Sequence, residues 1–363
     1  MKINLIFFIS EFNLGGAGNS LFKLCRNLPK DKYRISVICL NKCYYKNLLV
    51  KNKVKVFEIK SSRTLFAMNK IKKIAKSLIN KNYKNIFVSN IYYSNILSIL
   101  FLRVLPMKIV LIERTPYEEL SIYYNILDFL KKNIIKFLIR TTFWKADICV
   151  SNSNYISKKY NKKYKLKFKT IFPPSFQGKI FNTKKKFKNK VCFGTICRLG
   201  KEKNLYNLIK LLSKFKGKFY FEIIGDGPEK NKLINLKKQL NLDGEVKLIG
   251  EISPNKINKY FKNFDYYINS SDFEGFPNSV VEALSHRTPV IASQSHGGIN
   301  EIITNKEFGY IYKNENELET IIRKIIKNKY IYKINSRKIY KHLIKFSEKN
   351  NLKNYNFLFQ KIK

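Results

Sequence analysis

The sequence predicts an α/β protein made of two doubly wound domains. Short apolar runs with strand character alternate with amphipathic helical segments along the chain, which is the pattern of parallel sheets with crossover helices. The alternation occurs twice, before and after an irregular basic stretch at 176–190. With 363 residues, of which 45% are hydrophobic, the chain is long enough to form two separate cores. We therefore expect two domains that face a central cleft.

The first array opens with a strand–helix–strand unit. A buried strand is expected at Ile3–Ile9, a helix from a glycine loop to Leu28, and a second strand at Arg34–Leu40. The glycines Gly15 and Gly16 stand at the carboxyl end of the first strand, where open α/β sheets bind their ligands. The further strands expected in this array are Val54–Ile59, Ile86–Val88, Ile109–Ile112 and Ile148–Ser151.

The second array begins after the basic stretch and has the same alternation. Its expected strands are Val191–Ile196, Tyr220–Ile224, Val246–Ile249 and Tyr266–Asn269, and its expected helices are Asn204–Phe215, Pro228–Leu240 and Pro254–Phe261. We therefore expect an N-terminal domain at 1–175, a linker at 176–190, a C-terminal domain at 191–345, and a helical tail at 346–363 that can pack back on the N-terminal domain.

The net charge of +46 leaves three explanations open. Lysines occur throughout, with dense runs at Lys158–Lys169 and Lys184–Lys190. Basic residues at this density bind nucleic acid through its phosphates or adhere to anionic lipid. Compositional drift toward Lys, Asn and Ile is the explanation that involves no partner. Because no zinc finger, aromatic RNA-binding signature or basic zipper is recognisable, we expect an anionic membrane surface as partner and no nucleic acid.

Other features narrow the class of protein. The longest apolar stretch, Ile91–Ile112, is interrupted by Arg103, Pro106 and Lys108, so we expect no membrane span. We also expect no secretory signal, because no charged segment is followed by an apolar run and a cleavage site. The six cysteines form no C-x-x-C pair and the three histidines lack zinc-ligand spacing. Reduced thiols and no metal site are therefore expected.

The segment Ile126–Lys145 has two interpretations. Apolar residues recur there at helical spacing, with Lys131, Lys132, Lys136 and Arg140 between them. This is the pattern of a helix that lies in a membrane interface. It is equally the pattern of an ordinary domain helix with one buried face.

The most informative stretch runs from Asp265 to Glu301. It reads as a strand, a loop broken by glycine and proline, a short helix, a second strand and a glycine loop that enters another helix. Helix N-termini present unpaired N–H groups and a partial positive charge, which suit phosphate. The carboxylates Glu274 and Glu282 beside such a site would accept hydrogen bonds from uncharged groups, and sugar hydroxyls are the obvious candidates. We interpret this segment as a nucleotide-sugar pocket.

The first glycine loop does not favour a dinucleotide site. Gly15, Gly16 and Gly18 miss the G-x-G-x-x-G spacing, and the second strand ends in Asn41-Lys42, where an acidic residue would hold a ribose. A nicotinamide or flavin enzyme is therefore not expected.

Several short motifs follow one another in the second half of the chain. In order, they are Gly194 to Leu199 with Lys203 and Asn204, Gly225 to Pro228, Val246 to Gly250, Glu274 to Glu282, and Gly297-Gly298 with Glu301. In this order and spacing, the chain resembles the family-4 glycosyltransferases of group 1 type. These are retaining enzymes with the GT-B fold, two Rossmann-like doubly wound domains that face a central cleft. The resemblance extends over nearly the whole chain and is strongest from Cys192 to Glu301.

The resemblance implies how a donor is held. Arg198 and Lys203 would contact the diphosphate, Glu274 would bind hydroxyl groups of the donor sugar, and Glu282 would accept hydrogen bonds from the ribose. The other donor-binding residues that it implies are Gly15, Gly16, Gly225, Gly227, Gly275, Phe276, Pro277, Asn278 and Ser279. Each position also has an ordinary structural explanation, as a surface salt bridge, a solvated acid or a turn residue.

One position departs from the family pattern. Many relatives carry a histidine near the reacting sugar, after the strand that corresponds to Ile109–Ile112. This chain has Glu113-Arg114 there, as some relatives do, and no histidine occurs before His286. Glu113 or Arg114 is therefore a candidate contact for the acceptor or the donor, with a helix cap or a salt bridge as the alternative.

The resemblance implies a retaining transferase that moves a hexose or N-acetylhexosamine from a nucleotide-diphosphate sugar, with UDP as the commoner nucleotide and GDP-mannose as the open alternative. The acceptor would be a glycan or a lipid-linked sugar in cell-surface polysaccharide or lipopolysaccharide synthesis. Front-face attack, with the leaving diphosphate assisting deprotonation, would retain the anomeric configuration. No metal or other cofactor is expected, and the protein is expected in the cytoplasm, peripheral on the inner face of the cell membrane. The alternatives are a sugar-nucleotide epimerase and a non-catalytic basic protein that binds membrane or nucleic acid on this scaffold.

Overall fold

The computed structural model describes residues 2–123, 125–181, 189–328 and 334–362. The chain divides into two compact units. The N-terminal unit consists of residues 1–174 and 346–363, and the C-terminal unit consists of residues 175–345. Residues 182–188, which include part of the predicted linker 176–190 and most of the basic run Lys184–Lys190, lie outside the described residues.

The N-terminal unit is built on one parallel sheet. Its strands are β1 (Ile3–Glu11), β2 (Tyr33–Leu40), β3 (Lys55–Ile59), β4 (Lys84–Asn90), β5 (Lys108–Glu113), β6 (Ile148–Ser151) and β7 (Phe168–Thr170). Among the described residues they pair in the order β3-β2-β1-β4-β5-β6-β7. Along β1, Leu5, Phe7 and Ile9 enter one hydrophobic core, while Ile6 and Phe8 enter another on the opposite face. This strand is therefore a continuous apolar run, because helices cover both faces of the sheet.

The helices of this part of the chain are α1 (Gly16–Asn27), α2 (Lys46–Lys51), α3 (Thr64–Leu78), α4 (Tyr92–Leu102), α5 (Ile126–Thr142) and α6 (Asn154–Tyr164), with 3₁₀ turns at Tyr117–Ser121 and Phe143–Lys145. Residues of α1 and α2 pack into the core that contains Phe7. Residues of α3, α4, α5 and α6 pack into the core that contains Phe8. The apolar stretch Ile91–Ile112 is thus divided between α4, a turn and β5. In the ranges that the structure describes, no helix has both the length and the apolar character needed to cross a membrane.

The C-terminal unit repeats the same architecture. Its strands are β8 (Val191–Ile196), β9 (Phe219–Ile224), β10 (Val246–Gly250), β11 (Tyr266–Asn269), β12 (Phe273–Glu274), β13 (Val290–Ser293), β14 (His296–Gly297) and β15 (Gly309–Tyr312). Its helices are α7 (Leu205–Ser213), α8 (Lys230–Gln239), α9 (Pro254–Asn263), α10 (Asn278–Ser285), α11 (Ile299–Ile302), α12 (Glu315–Asn328) and α13 (Ser336–Leu343), with 3₁₀ turns at Lys201–Lys203 and Ile344–Phe346. Within the described residues, a parallel sheet has the order β10-β9-β8-β11-β13-β15, and β12 pairs only with β14.

The last helix, α14 (Glu348–Lys361), belongs to the N-terminal unit. The ring of Phe359 meets that of Phe7 edge-on, with 6.2 Å between their centroids. The hydroxyl of Tyr33 donates to Asn356 Oδ1 at 2.6 Å. Aromatic packing and a buried polar contact therefore attach the end of the chain to its first strands.

The strand orders show where each unit can bind a ligand. In the N-terminal unit the chain passes from β1 to β2 on one side and returns to β4 on the other. In the C-terminal unit the same reversal occurs between β8 and β11. The loops that leave such neighbouring strands diverge at the carboxyl edge of the sheet, which makes these switch points the usual ligand sites of open α/β folds.

Candidate functional site

Backbone hydrogen bonds connect the loops around the switch point of the C-terminal unit. The loop after β8 is joined to the loop after β9, because Leu199 N–H donates to the carbonyl of Asp226 at 2.9 Å. It is joined to the loop after β11, because Asp272 N–H donates to the carbonyl of Glu202 at 2.9 Å. Three loops that carry predicted site residues therefore meet at one edge of the sheet.

A largely but not fully buried ion pair bridges two of these loops. Lys203 Nζ lies 2.5 Å from Glu274 Oε1, and the two side chains are only 13% and 17% exposed. The hydroxyl of Ser271 donates to the same carboxylate oxygen at 3.0 Å, and that of Ser270 donates to the carbonyl of Lys203 at 2.6 Å. Burial alone would lower the pKa of Lys203, but the charge and hydrogen bond of Glu274, together with Cys197 and Glu202, outweigh burial and the pKa is raised. The ammonium group is therefore protonated and held in place.

Arg198 is in a different environment from Lys203. Its side chain is 67% exposed, and its guanidinium lies 3.1 Å from Glu202 Oε1. Exposed ion pairs of this kind contribute little to stability. The guanidinium can therefore exchange Glu202 for a phosphate group at small cost.

Gly225 and Gly227 have a structural reason to be glycines. Gly225 has a φ of +131°, and a Cβ added there would lie 1.9 Å from the carbonyl oxygen of Cys197. A Cβ at Gly227 would lie 2.6 Å from the carbonyl oxygen of Leu199. The close packing of the loops after β8 and β9 requires glycine at both positions. The nucleotide contact implied by the resemblance stays a prediction beside this reason.

Helix α10 begins directly after the predicted donor loop. Pro277 precedes its first residue, and no side chain caps the helix in the described structure. The loop before it is held because Gly298 N–H donates to the carbonyl of Gly275 at 3.2 Å. Asn278 Oδ1 accepts a hydrogen bond from Ser175 Oγ at 2.6 Å. The N-terminus of α10 thus presents uncapped backbone N–H groups in a fixed loop, which suits an anionic group.

Glu282 lies on the second turn of α10. It is half-buried, whereas its neighbours Val281 and Ala283 are buried in the core. Glu282 follows Ser279 by three residues, so the two share a face of the helix. Phe276 is buried, so only its backbone is placed to meet a ligand. The donor contacts that the resemblance implies for these residues stay predictions.

Sequence reasoning missed Tyr267, on the buried strand β11. Its hydroxyl lies 3.1 Å from the carbonyl oxygen of Ile196, to which it can donate, and 2.7 Å from Ser279 Oγ, from which it can accept. Ile196 ends β8, immediately before the loop that carries Arg198, so one phenol links that loop to the start of α10. Burial raises the pKa of Tyr267. A tyrosine in an apolar strand gives no signal of this role, because the partners of its hydroxyl are distant in sequence.

In the N-terminal unit, Gly15 and Gly16 lie at the switch point after β1. Gly15 N–H donates to Asn13 Oδ1 at 3.0 Å, and Gly16 is the first residue of α1. No side chain caps this helix among the described residues. Gly18 is also required, since a Cβ there would lie 2.1 Å from the carbonyl oxygen of Asn13. The start of α1 therefore offers a second set of uncapped N–H groups.

Glu113 is fully buried at the end of β5. The N–H groups of Arg114 and Thr115 both donate to its Oε1 at 2.9 Å. Its Oε2 has no hydrogen-bond partner in the described part of the chain. Burial raises the pKa of Glu113 to about 8. Glu113 shapes the turn that presents Arg114, and its own carboxyl group does not reach the surface.

Arg114 contacts Asn90 at the end of β4. Its Nε and one terminal nitrogen lie 3.4 Å from Asn90 Oδ1, and burial lowers its pKa. It lines a cavity of ≈ 10 Å³ together with Ser20, Asn152 and Tyr355. This is about the space that one water molecule needs. Arg114 is thus near the switch point, in a tight polar setting between α1 and α14.

The other groups that could carry chemistry are less informative. In the part of the chain that the structure describes, no three His, Cys, Asp or Glu side chains lie close enough to hold a metal ion. That the protein works without a metal or cofactor stays a prediction. Cys197 is next to Lys203 and Glu274, and burial raises the pKa of its thiol to about 11, so it is protonated and unreactive.

Comparison with known proteins identifies the C-terminal unit. Residues 176–349 match the family model described as glycosyl transferases group 1. This segment is a group 1 glycosyl transferase domain. The matched range of this group 1 domain includes Arg198, Lys203, Glu274 and Glu282.

Curated proteins resemble parts of the chain. The chain is 32% identical over 146 residues to N-acetylgalactosamine-N,N'-diacetylbacillosaminyl-diphospho-undecaprenol 4-alpha-N-acetylgalactosaminyltransferase of Campylobacter jejuni, covering 37% of this chain and 40% of that protein. It is 30% identical over 212 residues to protein CapJ of Staphylococcus aureus, covering 56% of this chain and 50% of that protein. The chain thus spans half or less of the length of these curated relatives.

Solved structures resemble the chain over its whole length. Anabaena HepE in complex with UDP-glucose has a TM-score of 0.80 at 17% identity, covering 99% of both chains. Sucrose-phosphate synthase from Thermosynechococcus elongatus has a TM-score of 0.81 at 12% identity, covering 99% of this chain and 98% of the other. At such identities the likeness concerns the fold. The predicted class, α/β with two Rossmann-like doubly wound domains of the GT-B type, is confirmed, and so is the resemblance to group 1 glycosyltransferases. Membership of family 4 stays a prediction.

Proposed function

We propose that the protein transfers a sugar from a nucleotide-diphosphate sugar to an acceptor. One observation carries this proposal: the Lys203–Glu274 pair lies at the switch point of the group 1 domain. The same edge of the sheet carries the uncapped N-terminus of α10. A fixed cation, a fixed carboxylate and unpaired N–H groups are what a diphosphate and a sugar require together.

The leaving diphosphate is where the protein contributes most to the rate. As the bond from the anomeric carbon to the diphosphate oxygen breaks, negative charge grows on the diphosphate. Lys203 and Arg198 stabilise that charge. A charge-assisted hydrogen bond is worth about 1.5–3 kcal/mol, or roughly 10- to 150-fold in rate if it forms only in the transition state. Glu274 keeps Lys203 in position and accepts hydrogen bonds from the donor sugar, while Glu282 accepts from the ribose.

The donor that we propose is a UDP-linked hexose or N-acetylhexosamine, transferred with retention. Support comes from the name of the C. jejuni relative, an N-acetylgalactosaminyltransferase, and from the UDP-glucose complex of HepE. In front-face attack the acceptor oxygen bonds to the anomeric carbon on the side from which the diphosphate leaves. The acceptor proton then passes to a diphosphate oxygen. Among the carboxylates of the described motifs, Glu274 is engaged with Lys203, so we do not assign it the role of a covalent nucleophile.

The acceptor that we propose is a glycan or lipid-linked sugar in cell-surface polysaccharide or lipopolysaccharide synthesis. The diphospho-undecaprenol in the name of the C. jejuni relative supports it, as does the Escherichia coli relative named lipopolysaccharide 1,6-galactosyltransferase. Because Glu113 is fully buried, Arg114 is the member of that pair that we assign to the acceptor side. We place the protein in the cytoplasm, peripheral on the anionic inner face of the cell membrane, where a net charge of +46 favours it.

A thermal-shift panel tests the donor site. Wild type, Lys203→Met and Lys214→Met are heated with UDP, GDP, dTDP and the corresponding sugars. Lys214 is the matched control, because it pairs with Glu319 at 2.6 Å in the same unit but is exposed. We expect wild type and Lys214→Met to be stabilised equally by one nucleotide, and Lys203→Met to be stabilised much less.

Other outcomes distinguish the alternatives. If no nucleotide stabilises any variant, the protein is better explained as a basic binding protein on this scaffold. If the donor alone is converted to its epimer without an acceptor, the protein is an epimerase. Proton NMR of the product's anomeric coupling decides between retention and inversion.

A further inference from the structure

Helix α5 carries two apolar stripes, and the structure buries only one of them. Ile135 and Ile139 lie in the core. In contrast, Leu127 is 73% exposed, Ile134 is 59% exposed and Phe137 is 64% exposed. The helix therefore has the buried face of an ordinary domain helix and, in addition, an exposed apolar face. That Ile126–Lys145 lies in a membrane interface stays a prediction.

The exposed apolar residues form a continuous stripe. At 100° per residue, Leu127, Leu130, Ile134 and Phe137 fall within roughly 80° of one another around the helix axis. The buried Ile135 and Ile139 lie roughly 120° and 160° from the centre of this stripe, on the other side of the helix. A stripe of large side chains that faces water along three turns is uncommon on a soluble protein and indicates an interaction site.

The stripe continues beyond the helix. Trp144, in the turn after α5, is 65% exposed. Val104, after the end of α4, is also exposed, and α4 packs against α5. We call the set Leu127, Leu130, Ile134, Phe137 and Trp144 the α5 face.

Basic residues flank the α5 face on both sides. Lys131, Arg140 and Lys145 are exposed, and none of them forms an ion pair in the described residues. The acid on the helix, Asp128, is paired with Lys132 at 2.9 Å. An apolar stripe between unpaired cations is the arrangement of helices that lie in a membrane interface.

We propose that the α5 face docks on a bilayer with anionic headgroups, its apolar side chains entering the boundary between headgroups and acyl chains. Charge decides this occupant over a second copy of the chain. Two copies would bring the flanking cations of a protein with net charge +46 into contact with each other, whereas anionic lipid attracts them. The proposal specifies the surface used in the membrane association proposed above, and it does not depend on which sugar is transferred.

This binding mode differs from simple electrostatic adhesion. Adhesion through charge alone would be lost at high salt and would not involve Leu127 or Phe137. Docking of the α5 face has an apolar component that salt does not screen. Anionic lipid is still needed for strong binding, since the cations approach the headgroups.

The single tryptophan of the chain makes the test direct. Trp144 is the one tryptophan in the sequence, and it belongs to the α5 face. We expect its fluorescence to shift to shorter wavelength when the wild-type protein meets vesicles of phosphatidylcholine with phosphatidylglycerol. We also expect quenching by lipids brominated near the headgroup end of the acyl chain.

Two double variants separate the components. Leu127→Ser with Phe137→Ser is expected to weaken sedimentation with these vesicles more than tenfold. Lys131→Gln with Arg140→Gln is expected to weaken it about 30-fold, from about fivefold for each cation removed. The matched control for the apolar variant is Phe357→Ser. The matched control for the charge variant is the double variant Lys349→Gln with Lys353→Gln. They change exposed residues of α14, which packs on the opposite face of the same sheet, and should leave binding unchanged.

Three results would overturn the proposal. The first is sedimentation with anionic vesicles without any change in Trp144 emission. The second is equal loss of binding in the α5 and α14 variants, which means that charge acts without a specific face. The third is a shift in Trp144 emission that occurs without lipid and grows with protein concentration, accompanied by dimer formation in ultracentrifugation. That result would mean that a second copy of the chain covers the α5 face. The thermal-shift panel is repeated on the α5 variants. If a nucleotide still stabilises them, failure of the membrane-docking proposal does not contradict the proposed sugar transfer.

Discussion

The buried pair of Lys203 and Glu274 makes the most specific prediction about the site. In Lys203→Met the Glu274 carboxylate loses its cation but keeps the hydrogen bond from Ser271 at 3.0 Å. Removing one partner of a fully buried pair costs about 3–5 kcal/mol. Because these side chains are still 13% and 17% exposed, and because one hydrogen bond remains, we expect a loss of about 2 kcal/mol in the free energy of unfolding.

A double-mutant cycle measures the interaction itself. Lys203→Met, Glu274→Gln and the double variant are unfolded in urea and followed by circular dichroism. We expect the double variant to be more stable than the sum of the two single changes predicts, by roughly 1–2 kcal/mol, because it leaves no unpaired buried charge. The same cycle on Lys214 and Glu319, which are 2.6 Å apart but exposed, should show no coupling beyond the error of the measurement.

One result would refute this reasoning about the site. If the coupling between Lys203 and Glu274 is no larger than that between Lys214 and Glu319, the pair is an ordinary surface contact. Its carboxylate would then have no fixed position for a donor sugar. The transfer rate and the affinity for UDP provide a second test. Glu274→Gln should lower the rate of transfer at least tenfold but leave the affinity for UDP largely unchanged, because UDP lacks the sugar that Glu274 is proposed to hold.

Three further predictions follow from single residues. Tyr267→Phe removes the hydroxyl that links β8 to Ser279; we expect the donor KM to rise about three- to tenfold with little change in kcat, and an unchanged KM would exclude a positioning role. A Cβ at Gly297 would lie 1.4 Å from a backbone oxygen of β12, so Gly297→Ala should abolish donor binding and lower the melting temperature. Gly250→Ala, at φ +85° with nothing within 4 Å of an added Cβ, should cost only about 1–2 kcal/mol and keep binding. Burial raises the pKa of Glu113 to about 8 from its ordinary value of 4.5, so wild type should lose stability relative to Glu113→Gln as pH rises between these values. Parallel pH–stability curves would contradict this.

Much of the secondary structure could be predicted from the sequence because buried parallel strands are locally encoded. The apolar runs Ile148–Ser151, Val191–Ile196 and Tyr266–Asn269 are strands with those bounds. Each is a short apolar run between polar turns, and this pattern predicts a strand of a parallel sheet that is buried on both faces. The strands β7 and β15 were missed. β7 contains a lysine and lies at a sheet edge, so its pairing, rather than its composition, makes it a strand.

The candidate site was predictable in part. The residue types of Arg198, Lys203, Glu274 and Glu282 signalled phosphate and hydroxyl binding, and the match of residues 176–349 to the group 1 family agrees with that interpretation. The contacts among them were not predictable. Lys203 pairs with Glu274 while Arg198 turns to Glu202. Which cation meets which carboxylate depends on loops that are about 70 residues apart in the chain.

The sequence by itself determined the two successive arrays of alternating strands and helices, the basic character of the chain and the residue types of the donor motifs. These depend on periodicity, composition and local spacing, which are properties of short segments. Only the tertiary structure decided that Glu113 is buried, that Tyr267 joins two loops, and that α5 leaves the stripe of Leu127 and Phe137 in water. A helical pattern shows that a stripe is apolar. Which stripe is covered depends on the neighbours that the rest of the chain brings to it, because burial is a property of packing between distant segments.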